Sequence, residues 1–274
     1  MTPWLRRLFF AVSLLLAQVW GPVYAQGLNF GSNDSDSPIE VYADDGIEWQ
    51  QDALTFVARG NARAVRGEVT VFADELHAFY RKLPGGGTEI WRLDAINNVR
   101  IVTPGETASG EKGVYDVDNG ILVLTGKKVS LKTATDVVTA NQQLEYWERK
   151  QMAVARGNAN VISDGKNLKA DVIVAYMKND KTGKSSIRRV EAFDNVEIDT
   201  KIEKATAERG IYNVKSGIAT LSGSVMIVRD ANRLNGCKAE VNMNTGLSKM
   251  FSCVQQGGGQ VGGVFNLKKK PQGN

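Results

Sequence analysis

Apolar residues recur along the chain at every second position in short runs, and a three- or four-residue helical spacing is nowhere sustained. The clearest runs, 69–80, 113–117, 121–124 and 172–177, are rich in β-branched and aromatic residues. Between such runs stand Asp45-Gly46, Asn119-Gly120, Asp164-Gly165, Ser216-Gly217 and Asn235-Gly236, dipeptides that supply the positive φ of tight hairpin turns. The pattern predicts an all-β chain of many short antiparallel strands in succession.

The pattern also repeats, at an offset of 97 residues read as running without a gap. VARGNA stands at 57–62 and again at 154–159, Ala73-Asp74 returns as Ala170-Asp171, and Asn98-Val99 with Ile101 returns as Asn195-Val196 with Ile198. Glu111, Gly113 and Tyr115 return as Glu208, Gly210 and Tyr212, and Leu124 with Gly126 as Leu221 with Gly223. Within each copy Gly60-Asn61, Asn98 and Gly126-Lys127 read as turn residues that each open a strand.

Comparing the copies picks out the apolar parity. Leu76 and Ala78 match Ile173 and Ala175, Val99 and Ile101 match Val196 and Ile198, Leu122 and Leu124 match Ala219 and Leu221, and Val129 and Leu131 match Met226 and Val228. The other parity holds residues such as Arg100, Ser130 and Glu197, so the expected sheet has one dry face and one wet face. The dry positions are candidates for an apolar groove, or else the ordinary filling of a closed sandwich.

Composition narrows the class. With 274 residues, 42% of them hydrophobic and 23% charged, the chain has the balance of a folded domain. Arg6-Arg7, a 13-residue apolar run at 8–20 and Val23-Tyr24-Ala25 read as a secretory signal peptide over 1–25, too short to span a bilayer, which takes ~20 residues. Without it 32 basic face 30 acidic residues, a near-neutral balance that gives nucleic acid no electrostatic footprint. A polar leader (26–37), a folded body (38–254) and a glycine-rich, basic, flexible tail (255–274) complete the expected organisation. Cys237 and Cys253 would, in an exported chain, form a disulfide, with two buried thiols as the other possibility.

Signals of enzymatic chemistry are weak. His77, the only histidine, has Val174 as its counterpart and reads as a packing residue. No Gly-x-Ser-x-Gly, His-Glu-x-x-His or phosphate-loop motif is present, and Gly257-Gly258-Gly259-Gln260-Val261-Gly262 matches a dinucleotide fingerprint only as a string. Two cysteines and one histidine cannot make a four-ligand zinc site, and the aspartates at 34, 36, 44 and 45 lack the calcium loop, so neither metal nor cofactor is expected. Arg59, Arg63, Arg66 and Arg156 read as solvated residues or as a basic rim for an anionic head group. A carbohydrate-active enzyme on a repeated β scaffold would need acids singular to one copy. Asp74/Asp171, Glu111/Glu208 and Glu48/Glu145 are instead shared.

The Gly-Asn-Ala unit, the Ala-Asp strand start and the Glu-x-Gly-x-Tyr segment resemble the repeat of the OstA-like family, and with the export signal the chain most resembles its periplasmic bridge proteins of lipopolysaccharide transport. The resemblance covers about 38–254. It implies an open, twisted β-jelly roll whose dry inner faces shield lipopolysaccharide acyl chains, with no catalysis and no cofactor. It further implies head-to-tail docking through edge strands, both to other copies and to the inner-membrane transport complex and the outer-membrane translocon. Candidate edges are 39–43, with Ile39 and Val41, and 239–243, with Ala239 and Val241; a flexible segment folding back over an edge is the competing expectation.

Overall fold

The computed structural model describes residues 39–180, 185–253 and 260–265; the expected signal peptide and leader lie outside them. Eighteen strands are described: β1 (Glu40–Tyr42), β2 (Gly46–Gln50), β3 (Thr55–Arg66), β4 (Val69–Lys82), β5 (Thr88–Val102), β6 (Thr107–Asp116), β7 (Ile121–Thr125), β8 (Val129–Lys132) and β9 (Asp136–Ala140), followed by β10 (Gln143–Trp147), β11 (Met152–Ser163), β12 (Lys166–Asn179), β13 (Ser185–Asp199), β14 (Lys204–Asn213), β15 (Ile218–Arg229), β16 (Asn232–Asn242), β17 (Ser248–Phe251) and β18 (Gly262–Val264). All pairings are antiparallel, and each joins strands that are consecutive or at most three apart in the chain. Several short strands are halves of one broken strand. β1 and β2 both lie along β3, β7 and β8 along β6, β9 and β10 along β11, and β17 and β18 along β16.

A line of kinks crosses the sheet at mid-strand. Gly60-Asn61 (φ +78° and +44°), Asn97-Asn98 (+60° and +49°), Gly157-Asn158 (+84° and +46°), Asp194-Asn195 (+60° and +51°) and Gly223-Ser224 (+78° and +45°) are consecutive left-handed pairs inside strands. Asparagine, aspartate and glycine tolerate this conformation because short polar side chains, or none, relieve the clash it imposes. The ladder register shifts beside each pair, as between Arg59 and Ala62 or Ile96 and Val99. A polar staple fixes four of these five bends to a neighbouring strand. Asn61 Nδ2 donates to Asp44 at 2.8 Å, Asn98 Nδ2 to both carboxylate oxygens of Asp74 at 3.0 Å, Asn195 Nδ2 to Asp171 at 2.9 Å and Ser224 Oγ to Glu208 at 3.0 Å.

Gly60-Asn61 and Asn98 are therefore bends within long strands, not turns between short ones; the signal for left-handed backbone was correct, but it is spent on bulges. The same holds for Asp45-Gly46, where Asp44 and Asp45 N–H groups donate to Gly60 and Arg59 carbonyls (2.8 and 2.9 Å) and the chain continues along β3. Asn235-Gly236 lies inside β16. Asn119-Gly120, Asp164-Gly165 and Ser216-Gly217 do form hairpin turns, linking β6 to β7, β11 to β12 and β14 to β15.

Two further expectations change. The repeat loses one residue after Gly126: in the ladders Leu131 faces Ala108, whereas Ile227, offset by 96, faces the equivalent Ala205. Val225 and Ile227 are thus the inward residues, 1% and 5% exposed, and Met226 and Val228 point to the other face. The carboxyl-terminal edge also moves. Ala239 and Val241 lie on β16, which is paired on both sides, and are buried in the core. The edge is instead β17 with β18, and β18 falls within the stretch expected to be a flexible tail. At the other end, among the described residues, β1 and β2 have only β3 as partner, and Ile39 and Val41 are exposed there.

Cys237 on β16 and Cys253 just beyond β17 are bridged, with Cα atoms 5.1 Å apart. The bond ties the last edge to the sheet and closes a loop across a sequence separation of 16, for which the chain-entropy model gives about 3 kcal/mol. Denaturant unfolding of a C237S/C253S variant should show a stability loss of about that size, with β17 exchanging its amide protons first.

Candidate apolar groove

Three apolar rows run along the inner face, each crossing the sheet strand by strand. In the first limb of the bent strands, register pairs Val41, Ala64, Val71, Ile101, Ala108 and Leu131 in order, and then Val138, Val161, Leu168, Ile198, Ala205, Ile227 and Leu234. In the second limb one row runs from Ile47 through Ala58, Leu76, Ala95, Gly113, Leu124 and Leu144, and continues through Ala155, Ile173, Ala192, Gly210, Leu221 and Ala239 to Met250. Its neighbour starts at Trp49 and Phe56 and passes Ala78, Leu93, Tyr115, Leu122 and Tyr146. Because the kink keeps apolar residues on the same side in both limbs, the limbs face each other. A Cβ at Gly113 would sit 3.2 Å from its ladder partner Leu124 and 3.4 Å from Val99, tighter than usual, whereas one at Gly210 would make ordinary contacts with Leu221 and Val196 at 3.4 and 3.5 Å.

In the first repeat the limbs enclose an apolar cavity of about 400 Å³. Leu76, Ala78, Ile101 and Leu122 of the expected groove line it, as do Ile39 and Val41 of the expected edge. Val99, Leu124 and Val129 are instead fully packed core, at most 1% exposed, and Leu131 packs against them. The equivalent space in the second repeat is about 40 Å³, with Ile198 and Leu221 in its lining; Ile173 and Val196 are core, and Ala175 is half-buried. Unforeseen lining residues are Ile47, Phe56, Val71, Leu93 and Tyr115. Tyr115 was visible in the repeated Glu-x-Gly-x-Tyr segment, but the aromatic cluster at the mouth, where Trp49 stacks on Phe56 (5.4 Å) and donates to Tyr80 Oη (2.8 Å), belongs to the first repeat alone.

Few polar groups enter this interior. Tyr115 Oη donates to Glu148 at 3.1 Å, and burial pushes its pKa well above the usual tyrosine range. Glu106, in the β5–β6 turn, is 5% exposed and one carboxylate oxygen has no hydrogen-bond partner among the described residues. Burial pushes its pKa up to about 7. Its counterpart Glu203 is neutralised by Arg229 at 2.7 Å, but the corrected alignment puts Thr133 where Arg229 stands.

The outer face takes the charges. Arg59 and Arg156 pair with Glu48 and Glu145, each at 2.5 Å, and do not form a free basic rim. Glu111 accepts from the Lys127 N–H at 3.2 Å, so each acid pair shared by the repeats serves a kink or a cross-strand ion pair. Arg63 stacks on Tyr42 and Arg100 on Phe72, at 4.3 and 4.0 Å. His77 contacts Glu75 and packs beside Phe79, facing Val57 and Asp94 in the ladder. Among the described residues no cluster of His, Cys, Asp and Glu is arranged to hold a metal.

The architecture is thus a single bent antiparallel sheet with a continuous dry inner face and an apolar cavity in the size range of small-molecule sites. The profile of the family described as LptA/(LptD N-terminal domain) LPS transport protein matches residues 40–146 and 137–247, and the chain belongs to that family, one of non-enzymatic transport proteins. The two matches correspond to the two repeats. An uncharacterised protein of Rhizobium meliloti (strain 1021) is 27% identical over 153 residues, covering 53% of this chain and 80% of that one. Among solved structures, LptH of Pseudomonas aeruginosa, titled the LptA homologous periplasmic component of the lipopolysaccharide transport device, is 11% identical over 85% of this chain and 99% of its own, with a TM-score of 0.23.

Glu106 generates a prediction. Its folded pKa, about 7, lies above the value of 4.5 for a free carboxyl, so the fold favours the protonated form. Its contribution is fully present below pH 4.5 and is lost as pH rises through about 7. Replacing it by the neutral isostere, Glu106→Gln, should leave stability near pH 4 unchanged and raise it at pH 8 by on the order of 3 kcal/mol, read from urea unfolding at the two pH values.

Proposed function

We propose that this protein carries lipopolysaccharide across the periplasm with its acyl chains held against the dry inner face. The observation that carries the reading is the continuity of the apolar rows, which run from β1 and β2 to β16 and beyond without a charged interruption. Each methylene withdrawn from water contributes ~0.8 kcal/mol, so several acyl chains need such a lining to cross an aqueous compartment, and binding without reaction suffices. The periplasm is the compartment that fits the expected signal peptide and the disulfide.

Docking would use the sheet edges. β1 is short, has one side unpaired among the described residues and carries Val41, with Ile39 just before it; both line the cavity, so a strand added there would extend the groove as well as the ladder. The inner-membrane complex, the outer-membrane translocon and further copies of this chain in head-to-tail array are the partners in this reading.

A photoreactive residue at Leu93 or Ile101 should crosslink to lipopolysaccharide in cells and one at Arg100 should not; equal labelling on both faces would overturn the groove. For the edge, Val41→Pro should abolish concentration-dependent association in sedimentation velocity while the circular dichroism of the monomer is retained.

A further inference from the structure

The two repeats share a sequence pattern but differ in interior space by an order of magnitude, about 400 Å³ against about 40 Å³. The first is the size of a ligand site. The second is on the scale of one water molecule, whose share of liquid volume is about 30 Å³. Substitutions at equivalent positions account for this. On the first limb, Ala64 and Val71 of repeat one become Val161 and Leu168 in repeat two. On the second limb the exchange is reversed, with Phe56 and Leu122 becoming Ala153 and Ala219.

In repeat one, large side chains on one limb face small ones on the other, and Phe56 is braced by Trp49 and Tyr80, with ring centroids at 5.4 and 5.1 Å. The braced rings hold the limbs apart, and Ala64 and Val71 are too short to fill the gap. In repeat two the bulk comes from the first limb. Leu168 and Val161 lie half-buried against the core, and Leu168 and Ala219 line the small space that remains between the limbs.

We infer that the resting protein has one long-chain alkyl site, in the amino-terminal repeat, and that Val161 and Leu168 keep the carboxyl-terminal repeat shut until cargo forces its limbs apart. The inference rests on the proposed lipid-carrying function and adds to it a location and an order of occupancy. Cargo entering repeat two must displace packed aliphatic side chains, whereas cargo entering repeat one fills space already present. A carrier with unequal sites of this kind holds its load at one end and transfers it through the other only when driven.

The test uses the full mature protein and a 16-carbon fatty acid bearing a terminal diazirine, with labelled peptides mapped by mass spectrometry. In the unaltered protein, labelling of the repeat-one rows should exceed that of the repeat-two rows by about tenfold, the factor that corresponds to 1.4 kcal/mol. A V161A/L168V variant, which gives repeat two the first-limb residues of repeat one, should raise repeat-two labelling several-fold and leave repeat one unchanged. The reciprocal A64V/V71L variant should depress repeat-one labelling, and serves alone if the first variant fails to fold. Equal labelling of both repeats in the unaltered protein, or an unchanged ratio in a folded variant, overturns the inference. Absence of saturable labelling anywhere would instead overturn the lipid-carrying function on which it rests.

Discussion

Everything else in this structure depends on the paired left-handed residues at mid-strand. A straight antiparallel sheet of this extent would be a twisted ribbon with one dry face open to water, and no second layer is available to cover it. Bending every strand at the same level makes the sheet its own second layer. The bend costs strain at Asn61, Asn97, Asn98, Asn158 and Asn195, which is offset where asparagine or serine side chains bond to acids across the kink. Asp74, Asp171 and Glu208 are therefore shared by the repeats for mechanical reasons, which removes them from any catalytic pair.

With the bend in place, side-chain size decides how far the limbs close. Around Gly113 the packing is tight, with Val99 and Leu124 almost wholly excluded from water. Away from that seam the spacing follows the sum of facing side chains. Binding capacity is thus a property of complementary size between limbs, and charge plays its part on the opposite face, where Glu48 with Arg59 and Glu145 with Arg156 brace neighbouring strands.

Alternation and repetition made the sheet, its dry face and most inward residues legible in the sequence. Leu76, Ala78, Ile101 and Leu122 could be placed on the cavity wall without coordinates because period-two patterning is a local property of a strand. Two kinds of information were not local. Asn-Gly-type dipeptides report left-handed backbone but not whether the chain reverses or merely bends, so Gly60-Asn61 and Asp45-Gly46 were indistinguishable from hairpin turns. A single missing residue after the second-copy Gly223 inverts the parity of everything beyond it, which is why Met226 and Val228 stood in for Val225 and Ile227. Glu106 carried no signal at all, since a carboxyl in a turn reads as solvated until its neighbours are known.

The two ends of the sheet are unlike, and the difference gives the molecule a direction. At the amino-terminal end, among the described residues, β1 and β2 have only β3 as partner, and Ile39, Val41 and Ile47 stand exposed beside the open cavity. At the other end the β17–β18 edge is tied to β16 by the Cys237–Cys253 bond, and the nearby interior is closed. A free strand edge costs little to extend because its partner supplies hydrogen bonds that water otherwise provides, whereas a pinned edge keeps its shape whether or not a partner is present. An apolar chain passing between copies would meet the open repeat of one beside the closed repeat of the next. Polarity of that kind arises on a duplicated sheet whose backbone differs by one residue after Gly223, chiefly from a handful of aliphatic and aromatic substitutions.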